Sequence, residues 1–208
     1  VVIWGQPFDA AYGGERLRRL PARTAPHHDR RNPPRARMSE RCAWAGSSPV
    51  MIDYHDTEWG FAVTDDRRLF EKICLEGFQS GLSWATILNK RADFRRVFAD
   101  FDPERVARFG SRDVERLLKD ASIVRHRGKI ESTINNARRV ADLVDEFGSL
   151  AAFVWRYEPD PASRPAEPTP DQVSSFVTSA ESTALSKDLK MRGWSFVGPT
   201  TMYAFMQS

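Results

Sequence analysis

What this chain has little of narrows it first. No stretch approaches the roughly 20 apolar residues that a membrane span needs. Two cysteines, Cys42 and Cys74, in 208 residues are too few for a disulfide framework. The opening VVIWGQPFDAAYGGERLRRL lacks a basic-then-apolar signal layout, so the expectation is a soluble protein of a reducing cytoplasm. Strand-type alternation is missing throughout, which points to an all-α class. Charge of one sign is also scarce. The net charge is only +3, and the positive excess lies in residues 1–37, so the slightly acidic remainder does not bind nucleic acid by bulk charge. Any phosphate-binding surface there has to be local.

The first 37 residues combine arginines with Pro7, Pro21, Pro26, Pro33 and Pro34 and no sustained period. They are expected to be a disordered basic leader, with Met38 directly after it as the natural start. Beyond Asp65 the chain reads as successive helices. Leu69, Ile73, Glu76 and Ser80 recur at helical spacing with Phe70, Cys74 and Phe78 beside them. In FDPERVARFG, Asp102 suits an N-cap, Pro103 the first helical position and Gly110 a stop. SRDVERLLKD is a further short unit. Ile130, Ile134, Ala137, Ala141 and Val144 mark a longer helix ended near Gly148, and LAAFVWRY a compact apolar one, with Trp155 a core residue. A proline-rich linker, 158–171, cannot continue a helix and is expected to cross the surface between two lobes. Residues 182–207 then read as a helix to Arg192, a glycine-bounded hairpin GWSFVG, and a helix opened by Pro199.

Two segments carry phosphate-binding chemistry. Gly193 and Gly198 allow backbone angles and close approach, so the hairpin amides and the next helix N-terminus, with Ser195 and Thr200, can face a phosphate. The alternative is an ordinary helical corner with Val197 in the core. Arg125, Arg127 and Lys129 form the other cluster, suited to backbone phosphates on the far side of a duplex, or else simply a solvated loop.

The stretch RCAWAGSSPVMIDYHDTEWG holds Trp44, Tyr54, His55 and Trp59 in a polar segment read as irregular. Such rings can wall a slot for a flat ligand; the plainer reading is that they anchor a loop. Trp84, beyond Gly81, can close the same slot. Glu76 is an ionisable group on an apolar face, costly unless paired, hydrogen-bonded or open to a cleft. It fits either the floor of that slot, with Gln79 nearby, or a structural salt bridge. Cys42 and His55 are residue types that ligate zinc, but two ligands do not complete a tetrahedral site.

Four runs, RCAWAGSSPVMIDYHDTEWG, LFEKICLEGFQSGLSWATILNKR, IVRHRGKIESTINNAR and SKDLKMRGWSFVGPTTMYAFMQ, closely resemble the bacterial DNA-3-methyladenine glycosylase I family of the helix-hairpin-helix glycosylase superfamily. The resemblance runs in order from Arg41 to Ser208. It implies an all-α, two-lobed helix-hairpin-helix fold with residues 38–208 as one glycosylase domain. It also implies excision of 3-methyladenine from alkylated double-stranded DNA by a monomer. By that resemblance Glu76 and Tyr54 are the catalytic candidates. Trp44, Tyr54, Trp59, Glu76, Gln79 and Trp84 form the base pocket, the hairpin 193–198 anchors DNA, and the usual superfamily aspartate is absent. The family also carries a structural zinc on Cys and His residues near both termini; Cys42 and His55 match the first pair, whereas the second pair would lie beyond Ser208. A non-catalytic helix-hairpin-helix DNA-binding or damage-sensing protein is the rival reading. It has no need for Glu76, Tyr54 and the tryptophans together.

Overall fold

The computed structural model describes residues 41–160, 162 and 176–208; the leader and most of the proline-rich linker lie outside them. Among the described residues every regular element is helical, and no helix is long and apolar enough to cross a membrane. A short 3-10 turn, Ala43–Ala45, precedes α1 (Pro49–Thr57) and α2 (Asp66–Gln79). There follow α3 (Trp84–Asn89), α4 (Arg91–Val97), α5 (Pro103–Ala107), α6 (Ser111–Lys119) and α7 (Arg127–Phe147). The chain continues through α8 (Leu150–Val154), α9 (Ala180–Met191) and α10 (Pro199–Gln207).

Helix α2 is the organising element. Its N-cap Asp65 accepts from the Arg68 amide at 2.9 Å, and Asp66 accepts from the amides of Leu150 and Ala151 at the start of α8. Nearly everything from Leu69 to Phe78 is buried, because α2 touches α3, α7, α8 and α10. This gives the two lobes a shared spine. A phenylalanine ladder leads from α2 into one lobe: Phe78 meets Phe94 at 4.6 Å between centroids, and Phe98 stacks on Phe101 at 5.6 Å. Trp155, half-buried, packs against the core and donates its indole N–H to the Val63 carbonyl at 2.9 Å.

The capping signals act largely as their residues dictate. The Asp102 carboxylate accepts from the amides of Glu104 and Arg105, with Pro103 opening α5. Gly148 closes α7 in the left-handed conformation at φ 87°. Gly110 differs from expectation. The helix before it has already ended at Ala107, and Gly110 opens α6, its amide donating to Asp113. The stretch read as irregular also differs: Ser48 and Pro49 start α1, a helix that buries only Met51 and Tyr54. Glu58, just past its end, receives a two-pronged bond from Arg91 at 2.6 Å on each arm. That bond ties α1 to the start of α4.

The GWSFVG hairpin sits between α9 and α10 and is gripped by a buried polar stripe on α7. Asn136 donates to the Ser195 carbonyl and accepts from the Ser195 amide, both at 3.0 Å. Ser132 donates to the same carbonyl and exchanges a 2.8 Å bond with the Ser195 hydroxyl. The hairpin also needs room on α2. A Cβ at Gly77 would meet the Cβ of Phe196 at 3.3 Å, which accounts for a glycine in the middle of a helix where alanine would be about 1 kcal/mol better.

Candidate functional site

Three short segments converge beside the middle of α2. The turn QSGLSW reverses the chain within a few residues: Gly81 takes φ 80°, and Ser83 caps α3 by accepting from Thr86 at 3.2 Å. Trp84, the first residue of α3, is thereby laid against Tyr54 of α1, with ring centroids 5.4 Å apart and planes tilted by 52°. Trp44, from the 3-10 turn and 41% exposed, reaches Tyr54 at 6.2 Å. Trp59 lies behind this wall, 5.2 Å from Trp44 and stacked on His55 at 5.7 Å. Glu76, only 5% exposed, lies on the C-terminal half of α2, and Gln79 ends that helix.

The sequence reading missed the residue at the centre. The Lys72 ammonium stands 3.8 Å from the Trp84 ring centroid and 4.5 Å from that of Tyr54. It also donates to the Tyr54 hydroxyl and pairs with Glu76 Oε1 at 3.4 Å. Burial draws the lysine down to about 8, with Glu76 opposing. Burial likewise holds the Glu76 carboxyl above its usual range, with Lys72 opposing. The Tyr54 phenol is pushed up by burial and by the Glu76 charge. Each group therefore resists its own charged form alone and tolerates it only beside the other. The Trp84 indole N–H is buried with no acceptor among the described residues. Behind Lys72, Tyr54 and Trp84 lies a cavity of about 130 Å³ that also reaches Glu58, Arg91 and Trp155; Glu76, Trp44 and Gln79 are not in its walls.

The expected phosphate contacts separate into three kinds. Arg125 is exposed and stands before α7. Arg127 is held by Glu115 at 2.6 Å and Glu131 at 3.4 Å, exposed pairs of small net worth that another anion can replace. Lys129 is different: it is buried, and its ammonium donates to the carbonyls of Phe78 at 2.8 Å and Ser80 at 2.5 Å. Its charge closes the C-terminus of α2 and steadies the turn that carries Trp84, rather than facing a phosphate. In the hairpin, the Ser195 amide and hydroxyl are likewise committed to α7. Gly193 needs its freedom, at φ 82°. Gly198 has φ −63° and opens α10 with no side-chain cap, so it and Thr200 remain at an uncapped helix start.

Cys42 and His55 lie side by side, the Cys42 amide donating to His55 Nε2 at 3.4 Å while Nδ1 meets Asp56 at 2.9 Å. Arg41 bonds the same carboxylate and, with His55, holds it low, at about 2. Among the described residues no group of three or more His, Cys, Asp or Glu side chains could hold a metal ion. These two ligands alone do not fit the tetrahedral zinc that the resemblance implies.

Comparison with known proteins gives the family. Residues 44–208 match the methyladenine glycosylase family. The chain belongs to that family. It is 47% identical over 170 residues to DNA-3-methyladenine glycosylase 1 of Escherichia coli (strain K12), a match spanning 81% of this chain and 89% of the relative. To the DNA-3-methyladenine glycosylase of Haemophilus influenzae it is 41% identical, over 82% of this chain and 91% of that one. Among solved structures, a crystal structure of 3-methyladenine DNA glycosylase I superposes with a TM-score of 0.73 at 46% identity, covering 81% of this chain and 91% of the other. A variant of such an enzyme in complex with 3-methyladenine gives 0.73 at 34% identity, over 81% and 90%. The all-α, two-lobed architecture is that of helix-hairpin-helix DNA glycosylases.

Proposed function

We infer that the protein is a DNA repair glycosylase that hydrolyses the N-glycosidic bond of 3-methyladenine in alkylated DNA, releasing the free base and leaving an abasic site. One observation carries the assignment to this slot: a buried carboxylate, Glu76, paired with the cation that lies on the Tyr54 and Trp84 rings, in a chain of this family.

Methylation at N3 makes adenine cationic while it is joined to the sugar, so the bond to C1′ is already weakened. When it breaks, its electron pair goes to the base, which departs neutral. Water supplies oxygen to the sugar carbon and gives up a proton. Little acid assistance is required, and the protein's task is to extract the nucleotide from the stack and hold it. Tyr54, Trp84 and Trp44 supply ring faces. Glu76 accepts hydrogen bonds from the base edge and attracts its positive charge in a site of low dielectric, with Gln79 and Trp59 at the periphery. Neutral adenine has a firmer bond and no charge to match, so modest chemistry itself contributes selectivity. Gly193, Gly198 and Thr200 at the hairpin, with Arg125 and Arg127 at the start of α7, contact the DNA backbone. The acting unit is a monomer in this reading, and the two unpaired cysteines suit a reducing cytoplasm.

The test compares Glu76→Gln and Glu76→Ala for free 3-methyladenine binding and single-turnover excision. The expected loss for Glu76→Ala is about 2 kcal/mol, on the order of thirtyfold, from one charge-assisted contact. Unchanged values in both assays would remove Glu76 from the role given to it.

A further inference from the structure

The slot described above is closed. A flat base stacked between two rings needs them about 7 Å apart, two contact distances of about 3.5 Å. Tyr54 and Trp84 stand at 5.4 Å and tilted. What lies against them is the Lys72 ammonium, which uses the same partners that a cationic purine would use: the Trp84 face, the Tyr54 ring and hydroxyl, and the Glu76 carboxylate. The Trp84 N–H meanwhile has no acceptor among the described residues, as befits a resting arrangement in which one of the slot's donors is idle.

We propose that Lys72 is a resident cation that holds the recognition slot closed and is exchanged for the cationic base, which makes it a specificity-determining residue. The proposal rests on the glycosylase reading above and deepens it. Exchanging one cation for another leaves Glu76 paired throughout. A neutral base that displaced Lys72 would leave a buried carboxylate without a counter-charge, an unfavourable state, so the lysine sets a threshold that normal adenine does not pass. Bond cleavage turns the bound cation into a neutral base. The match to Glu76 then weakens, and the returning ammonium re-pairs the carboxylate and clears the slot. Lys72 and Glu76 are one helical turn apart on α2, so a change of lysine rotamer accomplishes the exchange without moving the helix.

The experiment measures free 3-methyladenine binding by tryptophan fluorescence, and product inhibition of excision, in the wild type, Lys72→Met and Glu76→Ala. Lys72→Met keeps an unbranched side chain of nearly the same length and removes the charged competitor. It should bind the free base about tenfold more tightly, with a matching rise in product inhibition and a smaller preference for 3-methyladenine over adenine. A folded Lys72→Met with unchanged or weaker binding would overturn the proposal. A purely packing role for the lysine predicts that weaker binding. Because that variant could fail to fold, the wild type provides a second readout: the ¹⁵N resonance of the Lys72 ammonium should move on saturation with 3-methyladenine, and a stationary resonance overturns the exchange. Loss of binding in Glu76→Ala with no change in Lys72→Met sinks only the lysine proposal. No binding and no base release by the wild type sinks the glycosylase reading as well.

Discussion

Two lysines on neighbouring helices, Lys129 buried and Lys72 largely enclosed, do opposite things with the same ammonium. Lys129 donates to two backbone carbonyls at the end of α2, groups that are fixed by the backbone itself. Lys72 lies on two ring faces beside a phenol and a carboxylate, side chains that suit an arriving ligand equally well. Burial lowers both pKa values, so depth in the fold does not separate them. The partners do: backbone carbonyls make a lysine structural, whereas ligand-like partners make it replaceable.

The sharpest way to break this comparison is to remove the first lysine. Lys129→Met should cost about 3 kcal/mol in urea denaturation, since two carbonyls lose a charged donor, and it should loosen the turn that presents Trp84. A loss below about 1 kcal/mol would put Lys129 back among the phosphate contacts. Asn136→Ala tests the polar grip that leaves the hairpin's outer face free. A drop of about 2 kcal/mol is expected from the two bonds to Ser195, together with weaker DNA binding, read by denaturation and by filter binding.

A pH series separates the lysines further. The Lys72 ammonium titrates at about 8 in the fold against an ordinary 10.5, so the folded chain holds that proton less firmly than the unfolded chain. Its protonation therefore works against the fold at pH below about 8, and that cost disappears as pH rises toward 10.5. The groups facing it are Glu76, which opposes the shift, Tyr54, Glu58 and Arg91. Any stability advantage of Lys72→Met over the wild type should shrink between pH 7.5 and 10 by about 2 kcal/mol, the pairing with Glu76 being already contained in the lowered value. Thermal melting at pH 7.5 and 10 reads it. The smallest effect is expected at Arg125 and Arg127, where each alanine should weaken DNA binding about threefold and lower the salt dependence by about one phosphate contact. Lys129→Met should not share that salt signature.

The fold was largely legible because most helices carry their own punctuation. Asp65, Asp102, Pro103, Gly148, Gly193 and Pro199 mark ends that the structure keeps. Helix α1 escaped notice because only Met51 and Tyr54 are buried along it, too few to impose a period. Its Ser48-Pro49 start was the available signal. In the site, Glu76, Tyr54, Trp44 and Trp84 stood out as costly or crowded residue types; the three rings meet, and Glu76 is joined to them through Lys72. Lys72 did not, because a lysine four residues before a glutamate is ordinarily an exposed helix pair. Only the return of α1 and α3 over that face encloses it. Lys129 was misread for the converse reason: a basic run suggests phosphate, while its real partners, Phe78 and Ser80, lie about fifty positions earlier in the chain.

The most direct measurement of the central claim is the spectrum of bases released from N-methyl-N-nitrosourea-treated DNA by this protein, resolved by chromatography. Prompt release of 3-methyladenine with 7-methylguanine left in place is the predicted result. No release by the folded protein, or equal release of both bases, would contradict it.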